Sequence, residues 1–348
     1  MTSAQQVLER ITFSSRSLLD RTGVVIPTWN AGRHWSGIDK ALRKQGIEPG
    51  QVLIVDSSSS DGTGALVRKA GYQLKVIPKE SFRHGATRQL AAELLPESEI
   101  LVYLTQDAVL CGEKSLENLL EAFSDPEVGG CYGRQLPRAE AGPIERHARL
   151  FNYSATPALR TYEDRTELGI RAAFFSNSFA AYRRTAFEEV GGFPRDTIIA
   201  EDSTVAARML MAGWKIAYQP EATVIHSHAL TIRQEFSRYF DTGVHHGRER
   251  WILDEFGYAG GEGRSFVMSE ARYLLENQPS LLPWATVRNI NKWCAYQLGR
   301  HEHYLPQSLK EVFSSQHGFW VEDRKRYRVS RPDMEMVASV TEIPQVKQ

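Results

Sequence analysis

Two histidines and one aspartate follow apolar runs of this sequence and are suited to holding a metal ion. Asp107 comes shortly after the run Ile100–Leu104, and an acidic residue that leaves a central strand can bind a divalent cation through oxygen. His226 and His228 end a later run, where the period of two in a strand would put both imidazoles on the same face. One imidazole could therefore join Asp107 on a metal. The alternatives are an aspartate that makes only local turn hydrogen bonds and two structural histidines.

Adjacent acidic residues, Glu201 and Asp202, open an amphipathic helical pattern. Neighbouring helix positions point in different directions, so the two carboxyls are not expected to share one task. Asp202 is a candidate general base, which would accept a proton from an attacking hydroxyl. The alternative is that both acids only interact favourably with the dipole at the start of the helix.

Another carboxyl, Asp56, ends the apolar run Val52–Asp56 and precedes small turn residues. A carboxylate at such a position can accept a hydrogen bond from the N3–H group of a thymine or uracil ring. The alternative for Asp56 is a role in shaping the loop. For Asp61, which precedes Gly62 and Thr63, we expect the role of shaping the loop and capping the next helix.

Basic side chains cluster where a helix is expected to start, at Arg83, His84 and Arg88. Side-chain cations combined with the free backbone N–H groups of a helix start form a natural site for a diphosphate. Basic residues beside a glycine are also common on protein surfaces. The cluster therefore indicates a diphosphate site only together with the other candidate residues.

These residues need a scaffold that brings the ends of several strands together, and the sequence predicts one. From Gly23 to about Tyr218, short β-rich runs alternate with helical stretches. That alternation is typical of an α/β fold with a mostly parallel central sheet and helices on both faces. Ligands bind beyond the carboxyl ends of the strands in such sheets, which is where the candidate residues lie.

Four segments are predicted along the chain. They are an N-terminal segment at 1–22, a catalytic α/β domain at 23–229, a C-terminal helical region at 230–333 and a polar tail at 334–348. From Leu281 to Tyr304, aromatic and basic residues recur at helical spacing. Such a helix is suited to peripheral contact with a membrane, or to packing onto the catalytic domain or onto another copy of the chain.

Composition excludes several classes of protein. With 42 basic and 42 acidic side chains the formal net charge is zero, so no global field would recruit nucleic acid. Cys111, Cys131 and Cys294 are far apart and odd in number, which argues against a disulfide framework or a zinc site and is typical of a reducing compartment. No apolar run is long enough to cross a bilayer, and residues 1–13 lack the pattern of a signal peptide. We therefore expect a cytoplasmic protein, which would meet a membrane only at its inner face.

In this order, the motifs resemble those of glycosyltransferase family 2, whose members have a GT-A fold and invert the anomeric centre of the sugar. The matching segments span roughly residues 23–230: Val25–Asn30, Val55–Thr63, Asp107, Gly191–Phe193 and Glu201–Asp202. A finer resemblance is to the bacterial rhamnosyltransferases of that family. It rests on five segments: Phe82–Arg88, Leu104–Ala108, Ser176–Asn177, His226–His228 and Phe236–Val244.

The resemblance implies a reaction and a role for each candidate. It implies transfer of L-rhamnose from dTDP-β-L-rhamnose to a hydroxyl of a saccharide or lipid-linked glycan in the assembly of a bacterial surface polysaccharide. Asp56 would contact the nucleobase, Arg88 the nucleotide or diphosphate, and Asp202 would be the base. Asp107 takes the place of the last aspartate of an Asp-x-Asp motif and would hold Mg²⁺ or Mn²⁺ with a histidine of the pair. The remaining candidates lie toward the donor or toward the acceptor and sugar: Pro27, Thr28, Asn30, His84 and Gln106 in the first group, Asn177 and Glu201 in the second.

Two residues depart from the family pattern. Thr105 stands where the first aspartate of the metal motif is often found, and Gln89 stands where an asparagine is expected.

The alternatives to a rhamnosyltransferase are a family 2 enzyme that uses a UDP- or GDP-linked sugar, and a non-catalytic module that binds nucleotide sugars. A nicotinamide-dependent oxidoreductase is disfavoured, because Pro27–Gly32 stands where G-x-G-x-x-G would be required.

Overall fold

The structure is a computed structural model, and it describes residues 18–258 and 261–329. The predicted polar tail and most of the predicted N-terminal segment lie outside the described residues.

A nine-stranded mixed sheet forms the centre of the described chain. Its strands are β1 Thr22–Thr28, β2 Val52–Asp56, β3 Gln73–Val76, β4 Ile100–Leu104, β5 Val109–Leu110, β6 Val128–Leu136, β7 Ala158–Arg160, β8 Phe179–Arg183 and β9 Lys215–Ile225. The order across the sheet is β3-β2-β1-β4-β8-β6-β9-β5, and β7 also pairs with β9. Six strands run in one direction and β5, β7 and β8 run against them. The prediction of a mostly parallel central sheet is confirmed.

Helices cover both faces of this sheet, as predicted. Along β1, Val24 and Ile26 belong to one hydrophobic core, and Val25 between them belongs to another. Successive side chains of a strand point to opposite faces, so a strand buried on both sides is apolar at every position. The helices of this part of the chain are α1 Trp35–Arg43, α2 Thr63–Ala70, α3 His84–Glu93, α4 Ser115–Glu121, α5 Pro143–Asn152, α6 Arg165–Leu168, α7 Arg184–Glu189 and α8 Glu201–Met211.

The predicted C-terminal helical extension is also present. Its helices are α9 Ile232–Arg248, α10 Arg250–Phe256, α11 Glu262–Asn277, α12 Leu282–Arg300, α13 Gln307–Phe313 and α14 His317–Val329. Helices α9 and α12 approach closely because two glycines lie at their contact. A Cβ on Gly243 would collide with the carbonyl oxygen of Tyr296, and one on Gly299 would collide with that of Phe240.

Among the described residues, no helix combines the length and the apolar character needed to cross a bilayer. Trp284, Trp293 and Tyr304 are exposed. The expected contact of this region with a membrane surface or with a second copy of the chain stays a prediction.

Candidate functional site

Asp107, His226 and His228 lie together beyond the carboxyl ends of β4 and β9, and we call them the triad. His226 Nε2 is 3.4 Å from Asp107 Oδ1, and His228 Nε2 is 3.3 Å from Asp107 Oδ2. The two Nε2 atoms are 3.1 Å apart, and one ligand atom from each residue falls within 4.8 Å of the others. The backbone N–H of His226 donates to the carbonyl of Leu136, which anchors the pair to the end of β6. One carboxylate and two imidazoles fit a divalent cation.

Hydrogen bonds behind His226 fix its tautomer. Its Nδ1 lies 2.8 Å from Gln135 Oε1. Arg149 donates to the same oxygen at 2.8 Å, and Gln135 Nε2 donates to Ser176 Oγ at 2.8 Å. Arginine can only donate, so this oxygen is an acceptor and His226 carries its proton on Nδ1. The lone pair of His226 Nε2 therefore faces Asp107 and is available to a metal.

Electrostatics keep the triad in the protonation states that bind metals. Burial acts to raise the pKa of Asp107, but the neighbouring imidazoles of His226 and His228 outweigh it and hold that pKa below its usual range. The pKa of His228 is lowered mainly by burial and, to a smaller extent, by the neighbouring His226. At neutral pH we therefore expect a carboxylate beside a neutral imidazole, as metal binding requires.

Asp202 lies at the start of α8 and is held by two backbone N–H groups. Asn177 donates to its Oδ2 at 2.9 Å, and Ser203 donates to its Oδ1 at 2.8 Å. Burial, and then the charge of Glu201, raise the pKa of Asp202 to about 7. A carboxyl with that pKa is suited to accepting a proton near neutral pH. The preceding Ala200 has a left-handed φ of 59°, a conformation that costs a non-glycine residue roughly 1–2 kcal/mol and recurs at functional sites.

Glu201 belongs to a different, buried network. Its Oε1 lies 3.1 Å from Arg88 Nη1 and accepts from Asn177 Nδ2 at 3.0 Å. Asn177 Oδ1 accepts from the Tyr182 hydroxyl at 2.7 Å. Arg88 and Glu201 are each 4% exposed, so either charge would be costly to leave without the other. The two adjacent acids thus share Asn177, through its backbone for Asp202 and its side chain for Glu201, but only Glu201 has a countercharge.

At the ends of β1 and β2, Thr28 and Asp56 are partners in the parallel register. The Thr28 hydroxyl donates to Asp56 Oδ1 at 2.9 Å, and Ser59 donates its N–H and its hydroxyl to the same carboxylate at 2.8 and 2.5 Å. Asn30 has a left-handed φ of 50°, and its Oδ1 accepts from the Ser60 N–H at 3.0 Å. Asp56 therefore shapes this loop, and its contact with a nucleobase stays a prediction.

Gln106 connects this donor-side loop to the triad. Its Oε1 accepts from the Trp29 N–H at 2.8 Å, and its Nε2 donates to the Trp29 carbonyl at 3.2 Å. Because Gln106 immediately precedes Asp107, these bonds tie the chain after β1 to the triad. Pro27 lies within β1, next to Thr28.

Structural roles are evident for two further residues. Asp61 accepts from the Gly32 N–H at 2.8 Å and from the Thr63 N–H at 3.1 Å, which is the expected loop-shaping role, although the cap position of α2 belongs to Gly62. Gln89 accepts from the Phe193 N–H at 2.9 Å. Its amide therefore holds the Gly-Gly-Phe loop against α3.

A cavity of about 910 Å³, the main cavity, joins the triad to Asp202. Eight predicted residues line it: His84, Arg88, Asp107, Asn177, Glu201, Asp202, His226 and His228. Burial lowers the pKa of His84 to about 4, so this imidazole is neutral. The other five lie outside the lining: Pro27, Thr28, Asn30, Asp56 and Gln106. The C-terminal region also contributes to the lining, with Gln234, Ser237, Arg238 and Asp241 on α9.

Sequence reasoning missed Gln135, Arg149 and Arg238. Gln135 and Arg149 lie in β6 and α5, where nothing in the local pattern separates them from ordinary polar residues. Arg238 lies in a segment that carried the family resemblance, and its spacing from Asp241 puts both on one helical face. That periodicity was the available signal.

A family model, relatives of known activity and a solved structure match this chain. The family model described as glycosyl transferase family group 2 matches residues 100–296. The chain is 44% identical over 298 residues to the O-antigen chain rhamnosyltransferase RfbN of Salmonella typhimurium, and 46% identical over 298 residues to the O-antigen chain rhamnosyltransferase WbaN of Salmonella anatum. Each alignment covers 85% of this chain and 95% of the relative. A solved structure of the mannosyltransferase PcManGT from Pyrobaculum calidifontis, in complex with GDP-Man and Mn²⁺, matches with a TM-score of 0.49 and 21% identity, over 89% of this chain and 88% of that one.

Proposed function

This chain belongs to glycosyl transferase family group 2 and is a rhamnosyltransferase of that family. We propose that it transfers L-rhamnose from dTDP-β-L-rhamnose and inverts the configuration of the anomeric carbon. The proposed acceptor is a hydroxyl of a saccharide or lipid-linked glycan in bacterial surface polysaccharide assembly. Two Salmonella relatives are O-antigen chain rhamnosyltransferases, which supports the sugar and the kind of product. The observation that carries the mechanism is that Asp202, with a pKa of about 7, and the triad line one cavity.

We assign the triad to a divalent cation, Mg²⁺ or Mn²⁺. The residues fit such an ion, because their ligand atoms converge and His226 is held with its Nε2 lone pair toward Asp107. A bound cation would supply positive charge that stabilises the leaving diphosphate. The chain itself contributes the fixed orientation of both imidazoles at the end of β9.

Asp202 is the proposed general base. The acceptor hydroxyl gives its proton to the Asp202 carboxylate as its oxygen bonds to the anomeric carbon, and the bond from that carbon to the diphosphate oxygen breaks on the opposite face. A single displacement inverts the centre, so a β-linked donor gives an α-L-rhamnoside. The N–H groups of Asn177 and Ser203 hold the carboxylate in place, and the nearby Glu201 helps to keep its pKa near neutrality.

The loops after β1 and β2 are the proposed nucleoside site. Thr28 and Asp56 lie side by side there, and Gln106 links the first loop to Asp107. This arrangement supports a donor that extends from a nucleobase near Asp56 to a diphosphate near the triad. Asn177 and Glu201 would then lie on the side of the transferred sugar.

Thermal unfolding with a panel of nucleotides tests the donor. A ligand that binds only the folded state raises its stability, so dTDP and dTDP-L-rhamnose should raise the melting temperature, more so with Mg²⁺ or Mn²⁺. Selective stabilisation by UDP- or GDP-sugars would keep the glycosyltransferase and reject the rhamnose donor. No response to any nucleotide would contradict the proposed site.

Product analysis tests the stereochemistry. The proton and carbon spectra of the isolated product should show an α-L-rhamnosyl linkage. A β-linkage from the β-linked donor would mean retention and would remove Asp202 from the role of base in a single displacement.

A further inference from the structure

The diphosphate of a donor needs cations besides a metal ion, and the charge of Arg88 is already balanced by Glu201. Its Nη1 contacts Glu201 Oε1 at 3.1 Å and His84 at 3.2 Å, in a position that is 4% exposed. Turning Arg88 toward a ligand would leave the buried Glu201 carboxylate without its countercharge, which is strongly unfavourable. The charge of the cation that was evident in the sequence is therefore already balanced, and its contact with a diphosphate stays a prediction.

Arg238 is exposed and lines the same main cavity. Among the described residues, no side chain forms an ion pair or hydrogen bond with its guanidinium. Burial and Arg88 lower the pKa of His84, and the positive charge of Arg238 contributes to the same shift. Arg233 is a second exposed arginine that lines the cavity.

Helix α9 presents Arg238 from a firmly held position. Gln234, Ser237, Arg238 and Asp241 recur at helical spacing and all line the main cavity. On another side of the helix, Glu235 forms an ion pair with Arg288 at 2.7 Å. The Asp241 carboxylate accepts hydrogen bonds from Ser314 and Ser315. These contacts fix the helix on both sides of Arg238.

We propose that Arg238 binds the donor's diphosphate in the main cavity, which the triad also lines, an assignment that rests on the proposed function. The planar guanidinium of arginine matches two phosphate oxygens at once, and its charge would offset the charge that develops as the diphosphate leaves. Arg238 also borders a smaller cavity of about 390 Å³, which shares His228 and Leu230 with the main cavity. The diphosphate of a lipid-linked acceptor is the second possible source. The donor is favoured because the triad and Asp202 both line the main cavity.

Calorimetric binding of thymidine, dTDP and pyrophosphate in the presence of Mn²⁺ tests the assignment. In Arg238→Ala, we expect dTDP and pyrophosphate to bind about 10- to 100-fold more weakly, as for the loss of a hydrogen bond between charged groups, while thymidine binds unchanged. Arg238→Lys should retain part of the affinity. Arg272→Ala removes the same charge from an exposed position of α11 outside both cavities and should bind dTDP like the unaltered protein. Unchanged dTDP affinity in Arg238→Ala would overturn the proposal.

Further measurements distinguish a failure of the Arg238 assignment from a failure of the dTDP-rhamnose proposal. If the unaltered protein prefers UDP or GDP to dTDP, the donor proposal fails, and a loss of that diphosphate's affinity in Arg238→Ala still supports the role of Arg238. Farnesyl diphosphate serves as a probe for the lipid source. Weaker binding of farnesyl diphosphate with unchanged dTDP binding would overturn the donor assignment, and so would an unaltered protein that binds no diphosphate.

Discussion

Single residues in this site differ through their surroundings more than through their type. Glu201 and Asp202 are adjacent carboxyls, yet burial raises the pKa of Asp202 to about 7, whereas at Glu201 the effect of burial is outweighed by Arg88 and the other neighbours together, which lower its pKa. Glu201 has a countercharge at 3.1 Å, and Asp202 has only backbone N–H donors. Environments that separate the pKa values of two carboxyls are a way of assigning them different roles.

Asp202→Asn should lower turnover by about 10²- to 10⁴-fold, the usual contribution of general-base catalysis. The amide keeps the size of the side chain and cannot accept the proton, so dTDP affinity should be nearly unchanged. Steady-state kinetics and calorimetry measure the two quantities. Asp254→Asn on α10 is the control, because that carboxyl is exposed and lies outside the main cavity. Near-normal turnover in Asp202→Asn would remove Asp202 from this role.

The pH dependence of the reaction should follow the same group. Asp202 must be deprotonated to act as a base, so kcat/KM should be low below pH 7 and should rise as the pH passes through about 7. Initial rates measured between pH 5 and 9 would show this rise in kcat/KM. The residual activity of Asp202→Asn should not rise in this way, and a rise that persists in that variant would belong to the titration of another group.

At the scale of elements, α3 packs tightly against the loop that contains Pro194. A Cβ on Gly85 would collide with the carbonyl oxygen of Pro194, and Gln89 holds the N–H of Phe193 one turn further on. The start of α3 is therefore pressed onto the loop that leads to Asp202. Only glycine permits that approach at position 85.

Gly85→Ala should destabilise the protein by about 1–3 kcal/mol, the usual cost of overpacking, since the backbone it meets cannot move aside as a side chain could. Gly37→Ala is the matched control in α1, where nothing lies within 4 Å of an added Cβ and stability should rise by up to about 1 kcal/mol. Urea unfolding measures both. Equal effects of the two substitutions would argue against the tight contact.

Gln135 on β6 contacts the triad through His226, which follows β9. Gln135→Leu removes the acceptor for His226 Nδ1–H, so the imidazole loses its fixed tautomer and orientation. Mn²⁺ affinity should fall by about 10- to 100-fold, as is typical when a partner of a metal ligand is lost. Electron paramagnetic resonance of free Mn²⁺ measures it. Gln219→Leu on β9 should leave the affinity unchanged, because Gln219 contacts neither histidine.

Across the whole molecule, the C-terminal helices complete the site. A hydrophobic cluster joins Ile198, in the loop before Asp202, to Phe240 of α9 and Trp320 of α14. Arg83, next to His84, donates to the carbonyl of Gly318 at 2.7 Å. The main cavity therefore depends on packing between regions far apart in sequence.

Trp320→Ala should lower the free energy of unfolding by about 3–5 kcal/mol, because Trp320 is fully buried and its loss leaves a cavity. Trp293→Ala removes the same side chain from a position that is 64% exposed and should change stability by no more than about 0.5 kcal/mol. Denaturant unfolding compares the two. A small effect at Trp320 would mean that α14 is not integral to the fold.

The sequence by itself determined that a mostly parallel sheet and a C-terminal helical extension are present. Apolar runs such as Ile100–Leu104 are local patterns, and the rule that ligands bind beyond the carboxyl ends of such strands directed attention to Asp107 and His226, whereas the role of Asp202 came from the family resemblance. Family motifs in the correct order supplied the enzyme class.

Only the tertiary structure decided which of these residues are available for chemistry. Arg88 and Arg238 are the same residue type, yet one is buried against Glu201 and the other is exposed in the main cavity. The pKa of Asp202 and the tautomer of His226 depend on Glu201 and Gln135, whose proximity the local pattern does not encode. Burial and hydrogen bonding act through space between distant parts of the chain, which is why periodicity and spacing could not predict them.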